Sequence, residues 1–236
     1  MSTSMKTIGL VGGMSWESSA AYYRALNLGV QRRLGGYSSP SLVLSTVDFA
    51  RLTELGDAEK WDQIGALLAE AARGVERAGA DFLLLCTTTY HKVADEVAAA
   101  VDIPLLHLAD VVADACQEAG VSTVGFIGTT VAMTDGFFTE RMEDHGLKAL
   151  IPAPEHHEFL NSAIYDELVH GKVEDATRRR VVEIIDELWD AGAEGVLLGC
   201  TELEQLIHQA DCDIPVFPCT TLHVEAALDR ALPATS

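Results

Sequence analysis

Two short stretches carry the residue types that can move a proton on and off carbon. Cys200 follows the apolar run Val196–Leu198 through Gly199 and leads into Thr201 and Glu202. Cys86-Thr87-Thr88-Thr89 follows an equally apolar run, Phe82–Leu85. A thiolate beside a helix start is stabilised below its ordinary pKa of about 8.5, which makes Cys200 a credible base. Two glycine-bearing stretches lie elsewhere: Gly12-Gly13-Met14-Ser15 before a helix beginning near Trp16, and Gly128-Thr129-Thr130 before another. Glycine lets the backbone turn tightly, and a helix N-terminus offers free N–H groups to an anion such as a carboxylate. A plain βα turn would read the same. Gly9-x-x-Gly12-Gly13 lacks the GxGxxG spacing of dinucleotide sites. The eight histidines form no HExxH, and CxxC, GxSxG and P-loop patterns are absent. His156 and His157 read as solvent-facing or capping residues, and Arg51 as a candidate clamp for a side-chain carboxylate.

The elements that must position these residues alternate in type. Candidate strands are Thr7–Val11, Leu42–Val47, Phe82–Leu85, Leu105–His107, Thr123–Ile127, Val196–Leu198 and Val216–Phe217, with helical periodicity clearest over Asp57–Ala78 and Val173–Ala191. Such alternation predicts an α/β fold with parallel sheets flanked by helices.

Three segments recur in order. Thr7-Ile-Gly-Leu-Val-Gly-Gly13 resembles Thr123-Val-Gly-Phe-Ile-Gly-Thr129, an offset of 123 − 7 = 116. Gly79-Ala-Asp-Phe-Leu-Leu-Leu-Cys-Thr87 resembles Gly192-Ala-Glu-Gly-Val-Leu-Leu-Gly-Cys200, an offset of 192 − 79 = 113. Ile103-Pro-Leu-Leu resembles Ile214-Pro-Val-Phe, an offset of 214 − 103 = 111. Duplication accounts for all three. It predicts two pseudo-symmetric lobes, 1–104 plus 214–236 and 105–213, with a last helix near Thr220–Leu232 returning to the first. The site is expected in the cleft between them, at the strand carboxyl ends. In this register Thr87 pairs with Cys200, and Cys86 pairs with Gly199, so Cys86 reads as packing. Cys116, Cys212 and Cys219 have no supporting pattern and read as structural.

Bulk properties narrow the classes. The 236 residues are 48% hydrophobic, enough for a substantial core. The formal charge of −20 argues against nucleic-acid binding. Apolar runs are too short to span a bilayer and no signal-peptide core follows the N-terminus, so a cytoplasmic, soluble protein is expected.

Gly12-Gly-Met-Ser-Trp-Glu-Ser18, Cys86-Thr-Thr-Thr-Tyr-His-Lys92 and Gly199-Cys-Thr-Glu202 together resemble the aspartate/glutamate racemase family, over Thr7 to about Ala231. The resemblance implies racemisation of aspartate and/or glutamate without pyridoxal phosphate or metal, in a homodimer. It implies two cysteines on opposite faces of the substrate. Cys200 matches the second. Thr87 stands at the first, a departure shared by members that favour L-substrates, and Thr88 replaces the usual asparagine. Thr88, Thr89 and Thr201 match positions that bind the α-carboxylate and ammonium. Met14, Ser15 and Thr129 match the loops of the two lobes, Tyr165 a residue near the substrate side chain, and Glu202 completes the second motif. The expectation is direction-biased catalysis, with Cys200 deprotonating the L-isomer and Thr87 returning a proton. Alternatives are a decarboxylase or isomerase of the same superfamily using the single thiol, and a non-catalytic small-acid binder.

Overall fold

The computed structural model describes residues 5–232. In chain order the strands and helices are β1 (Ile8–Gly12), α1 (Trp16–Leu34), β2 (Leu42–Thr46), α2 (Phe49–Asp57), α3 (Trp61–Arg77), β3 (Phe82–Leu85), α4 (Ala94–Ala98), α5 (Leu108–Glu118), β4 (Thr123–Ile127), α6 (Thr130–Thr134), α7 (Phe137–Asp144), β5 (Lys148–Leu150), α8 (Pro154–Ser162), α9 (Asp175–Asp190), β6 (Gly195–Leu198), α10 (Leu203–Leu206), β7 (Val216–Pro218) and α11 (Cys219–Ala231). The chain forms two compact units. One holds the described residues through Leu108 together with those from His223 onward, and the other holds Ala109–Leu222.

The first unit is built on a parallel sheet of order β2-β1-β3. β1 and β3 are buried on both faces, so they read as continuous apolar runs rather than alternating ones, while the edge strand β2 is partly exposed. Alternation survives in the packing. Val11, Leu83 and Leu85 join α2, α3 and α4 residues such as Leu52, Leu68 and Val97 in one core. Ile8, Leu10, Phe82, Leu84 and Cys86 join Tyr22 and Leu26 of α1 and Leu228 of α11 in another. Each fully buried side chain of this size contributes about 1.5–3 kcal/mol. The expected strand at 105–107 is reduced to a single parallel bridge, Leu83 to Leu105.

The second unit repeats the plan with order β5-β4-β6-β7, all pairs parallel. β5 is too short for its pattern to stand out in the sequence. β7 pairs with β6, and residues 214–222 fall in the second unit rather than the first, while 105–108 fall in the first rather than the second. The helix expected over Asp57–Ala78 begins later, as α3 from Trp61: α2 ends at Asp57 and Glu59 takes a positive φ of 54°.

Matched details run through both units. Asp81 accepts from the Thr7 N–H at 2.6 Å, and Glu194, at the same repeat position, accepts from the Thr123 N–H at 3.0 Å. A Cβ on Gly9 would collide with Val75 of α3, and one on Gly125 with Leu188 of α9. The Leu83 N–H donates to Pro104 and the Val196 N–H to Pro215. Among the described residues, no helix is long and apolar enough to cross a membrane.

His223 anchors α11 inside the first unit. It is fully buried, paired through Nδ1 with the Tyr22 hydroxyl and through Nε2 with the Leu106 carbonyl, both at 2.9 Å. Burial holds its pKa down to about 4, below the ordinary 6.5. The unfolded chain therefore binds one more proton than the native state between those values, and stability falls as pH drops through that window. The full shift is worth about 3 kcal/mol. Denaturant unfolding at pH 7 and pH 4.5 should show a loss of this order attributable to His223. His223→Gln should flatten it, and an unchanged slope would remove His223 from the account.

Candidate active site

In the first unit the carboxyl ends of β1 and β3 lie side by side, joined by the Cys86 N–H to Val11 carbonyl bond at 2.9 Å. The β1 loop turns at Gly13, whose φ of 94° and crowding against Val47 exclude a side chain. Met14 and Ser15 are buried. Ser15 caps α1 by accepting from the Ser18 N–H at 3.2 Å, so its hydroxyl already serves the helix start. Cys86 is fully buried in the α1/α11 core, where burial pushes its thiol far above the ordinary range. Thr87, next along the chain, is buried at 7% exposure, while Thr88 and Thr89 are partly exposed at the head of a tight turn, Thr89–Val93. His91 closes this loop: its Nδ1 pairs with the Thr87 carbonyl at 2.7 Å. Rings of His107 and His223 lie 4.7 and 6.1 Å from it.

In the second unit the ends of β4 and β6 are likewise adjacent. Thr129 is buried and caps α6 through the Ala132 N–H at 3.2 Å. Thr130 N–H donates to Asn161 at 3.2 Å, tying α8 to the same loop. Tyr165 lies on a π-helical turn, Ala163–Glu167, beyond that tie and is 41% exposed.

Cys200 is partly exposed and donates its S–H to Glu202 at 2.8 Å. Glu202 itself is buried at 4% exposure. This corrects the expectation of a thiolate-stabilising helix start. Burial pushes the thiol well above its ordinary range, followed by the charge of Glu202 and its hydrogen bond to the thiol. The N–H groups of Glu202 and Leu203 do act in the opposite sense, but they are outweighed. The helix that follows, α10, is only four residues long, too short to bring much dipole to bear. Thr201 pairs with the Thr220 hydroxyl at 3.0 Å.

Other expectations also shift. His156 is buried, paired with Glu187 at 2.7 Å and with Arg180, rather than solvent-facing. Arg51 is exposed and 3.7 Å from Glu54. Cys116 and Cys219 are buried, and burial raises Cys116 to about 12. Sequence reasoning passed over Glu204, which accepts from the Thr220 N–H and the Thr221 hydroxyl at 2.6 and 2.8 Å. The repeat could have found it, since 204 − 113 is position 91.

Each unit thus presents buried hydroxyls and a carbonyl-end loop at neighbouring strands, and the second adds a thiol with a carboxylate acceptor. The model of the Asp/Glu/hydantoin racemase family matches residues 11–227. The chain is 39% identical to a Yersinia pestis protein assigned to the Asp/Glu racemases, over 96% of this chain and 99% of that one, with a TM-score of 0.90. It is 32% identical to an aspartate racemase homologue from Pyrococcus horikoshii, over 96% and 99%, with a TM-score of 0.86. A glutamate racemase from Aquifex pyrophilus, at 16% identity over 95% and 83% with a TM-score of 0.62, shares the fold. The chain belongs to the Asp/Glu/hydantoin racemase family.

Proposed function

We propose that this protein racemises aspartate and/or glutamate without a cofactor, taking the α-proton of the L-isomer on Cys200 and returning a proton from Thr87. The observation that carries the proposal is the Cys200–Glu202 pair at the end of β6. The repeat assigns Thr87 to the equivalent end of β3.

In the resting state Cys200 is a thiol whose proton is already directed at a carboxylate. Substrate brings an ammonium group, which offsets part of the negative charge that raises the thiol. The proton then passes to Glu202, and the thiolate takes the α-proton, leaving a carbanion delocalised into the substrate carboxylate. Thr201, Thr88 and Thr89 supply hydroxyls to that carboxylate, whose charge grows in the transition state. Thr87 gives its hydroxyl proton to the opposite face and is reprotonated from water. Return of the Glu202 proton and loss of the one on Cys200 complete the cycle. The threonine step is the weaker one, because an alkanol is a far poorer acid and base than a thiol.

The names of the relatives favour an acidic amino acid. The test is wild-type protein in deuterated water with L-aspartate or L-glutamate, followed by proton NMR and chiral chromatography. The α-proton signal should disappear without loss of substrate while the D-isomer accumulates. Consumption of substrate, or no exchange from either amino acid, would overturn the proposal. A homodimer is also proposed, checked by light scattering.

A further inference from the structure

We infer that His91 and Glu204 are matched positioning residues, each latching one proton-carrying loop to the start of the helix that follows it. The inference rests on the racemase proposal for the chemistry, but the geometry stands within each unit.

The two residues occupy the same repeat position, four residues beyond Thr87 and four beyond Cys200. In the first unit, His91 Nε2 accepts from the N–H of Leu108, the first residue of α5, at 3.3 Å. In the second, Glu204 Oε1 accepts from the N–H of Thr220, in the first turn of α11, at 2.6 Å. Different side chains perform the same act on equivalent helices. Helix-start N–H groups lack intrahelical partners, so an acceptor delivered from another loop fixes that loop against the helix.

The second bond of each residue reaches the chemistry. With Nε2 accepting, His91 carries its proton on Nδ1 and donates to the Thr87 carbonyl at 2.7 Å. Thr87 is thereby held by its own backbone, and its hydroxyl direction follows. Glu204 acts one step further out. It fixes Thr220, whose hydroxyl pairs with Thr201 at 3.0 Å, the residue proposed to hold the substrate carboxylate. His91 therefore governs proton return from Thr87, and Glu204 governs substrate binding beside Cys200.

These roles separate in measurement. L-isomer in deuterated water reports the Cys200 half by deuterium appearing in recovered L-isomer, and the Thr87 half by D-isomer formation. His91→Leu should lower D-isomer formation by about tenfold, as expected for one lost, well-placed hydrogen bond, while deuterium in the L-isomer changes less than about twofold. His91→Asn, whose amide N–H can replace Nδ1–H, should recover most of the loss. Glu204→Ala should raise KM for the L-isomer by about tenfold with little change in kcat, and Glu204→Gln should restore it. Equal loss in both halves for His91→Leu, or no rescue by the conservative variants, would overturn the positioning roles. Amide hydrogen exchange keeps this distinct from the activity itself: protection at Leu108 should fall in His91→Leu and at Thr220 in Glu204→Ala. Unchanged protection overturns the latch. A wild-type protein without α-proton exchange overturns the racemase proposal and leaves the latch to the exchange data.

Discussion

Glu202→Gln will make Cys200 easier to ionise and yet slow racemisation of the L-isomer by about two to four orders of magnitude, the usual worth of a positioned proton acceptor. Two of the three effects that raise the thiol come from Glu202, through its charge and through the S–H bond to its carboxylate. Removing that charge lowers the pH at which the thiolate appears. Iodoacetamide labelling of Cys200 against pH should therefore rise earlier in the variant than in the wild type. The wild type should still be climbing above pH 9, because burial keeps the thiol protonated there. Turnover should move the opposite way, since a glutamine amide cannot take the thiol proton as a carboxylate can. Cys200→Ala provides the floor: α-proton exchange should vanish, because the other thiols at strand ends, Cys86 after β3 and Cys219 after β7, are buried. If Glu202→Gln labels faster and also racemises faster, Glu202 is only an electrostatic brake, and the proton-acceptor role falls.

Much of this arrangement was legible in the sequence. Seven apolar runs and three ordered repeats predict two parallel sheets, and both sheets have that form. The demotion of Cys86 also followed from strand pleating, and the thiol does face the α1/α11 core. What the sequence could not convey was mostly tertiary. β5 is three residues long and takes its identity from pairing with β4. Residues 214–222 stay with the second sheet because of a pairing partner, not because of any local pattern. The Cys200 environment is hidden from the sequence for a related reason. Proximity to a helix start is visible in sequence, but the length of that helix and the burial of the thiol are not. Of the two latch positions only Glu204 is hard to read: its offset of 113 from His91 is in plain view, but histidine and glutamate share no obvious motif.

Thr87→Cys should raise kcat from the D-isomer by about two orders of magnitude or more, by replacing a poor base with a competent one. Free enantiomers have equal energies, so kcat/KM must be the same in both directions for any variant. Directional bias can therefore reside only in how kcat and KM are divided. With threonine at this position, the D-isomer should combine a low kcat with a correspondingly low KM, behaving as a slowly turned-over ligand. The variant should bring the two kcat values together and raise the common kcat/KM. The substitution removes one methyl from a buried site, costing about 0.8 kcal/mol, so the fold should persist. The new thiol lies outside the Glu202 bond, which stays with Cys200. Its ionisation must come from its own loop, where His91 already fixes the backbone carbonyl. His91→Leu placed on top of Thr87→Cys should then cancel much of the gain. A Thr87→Cys protein that folds, exchanges the L-isomer normally and gains nothing from the D-isomer would show that position 87 does not deliver the second proton.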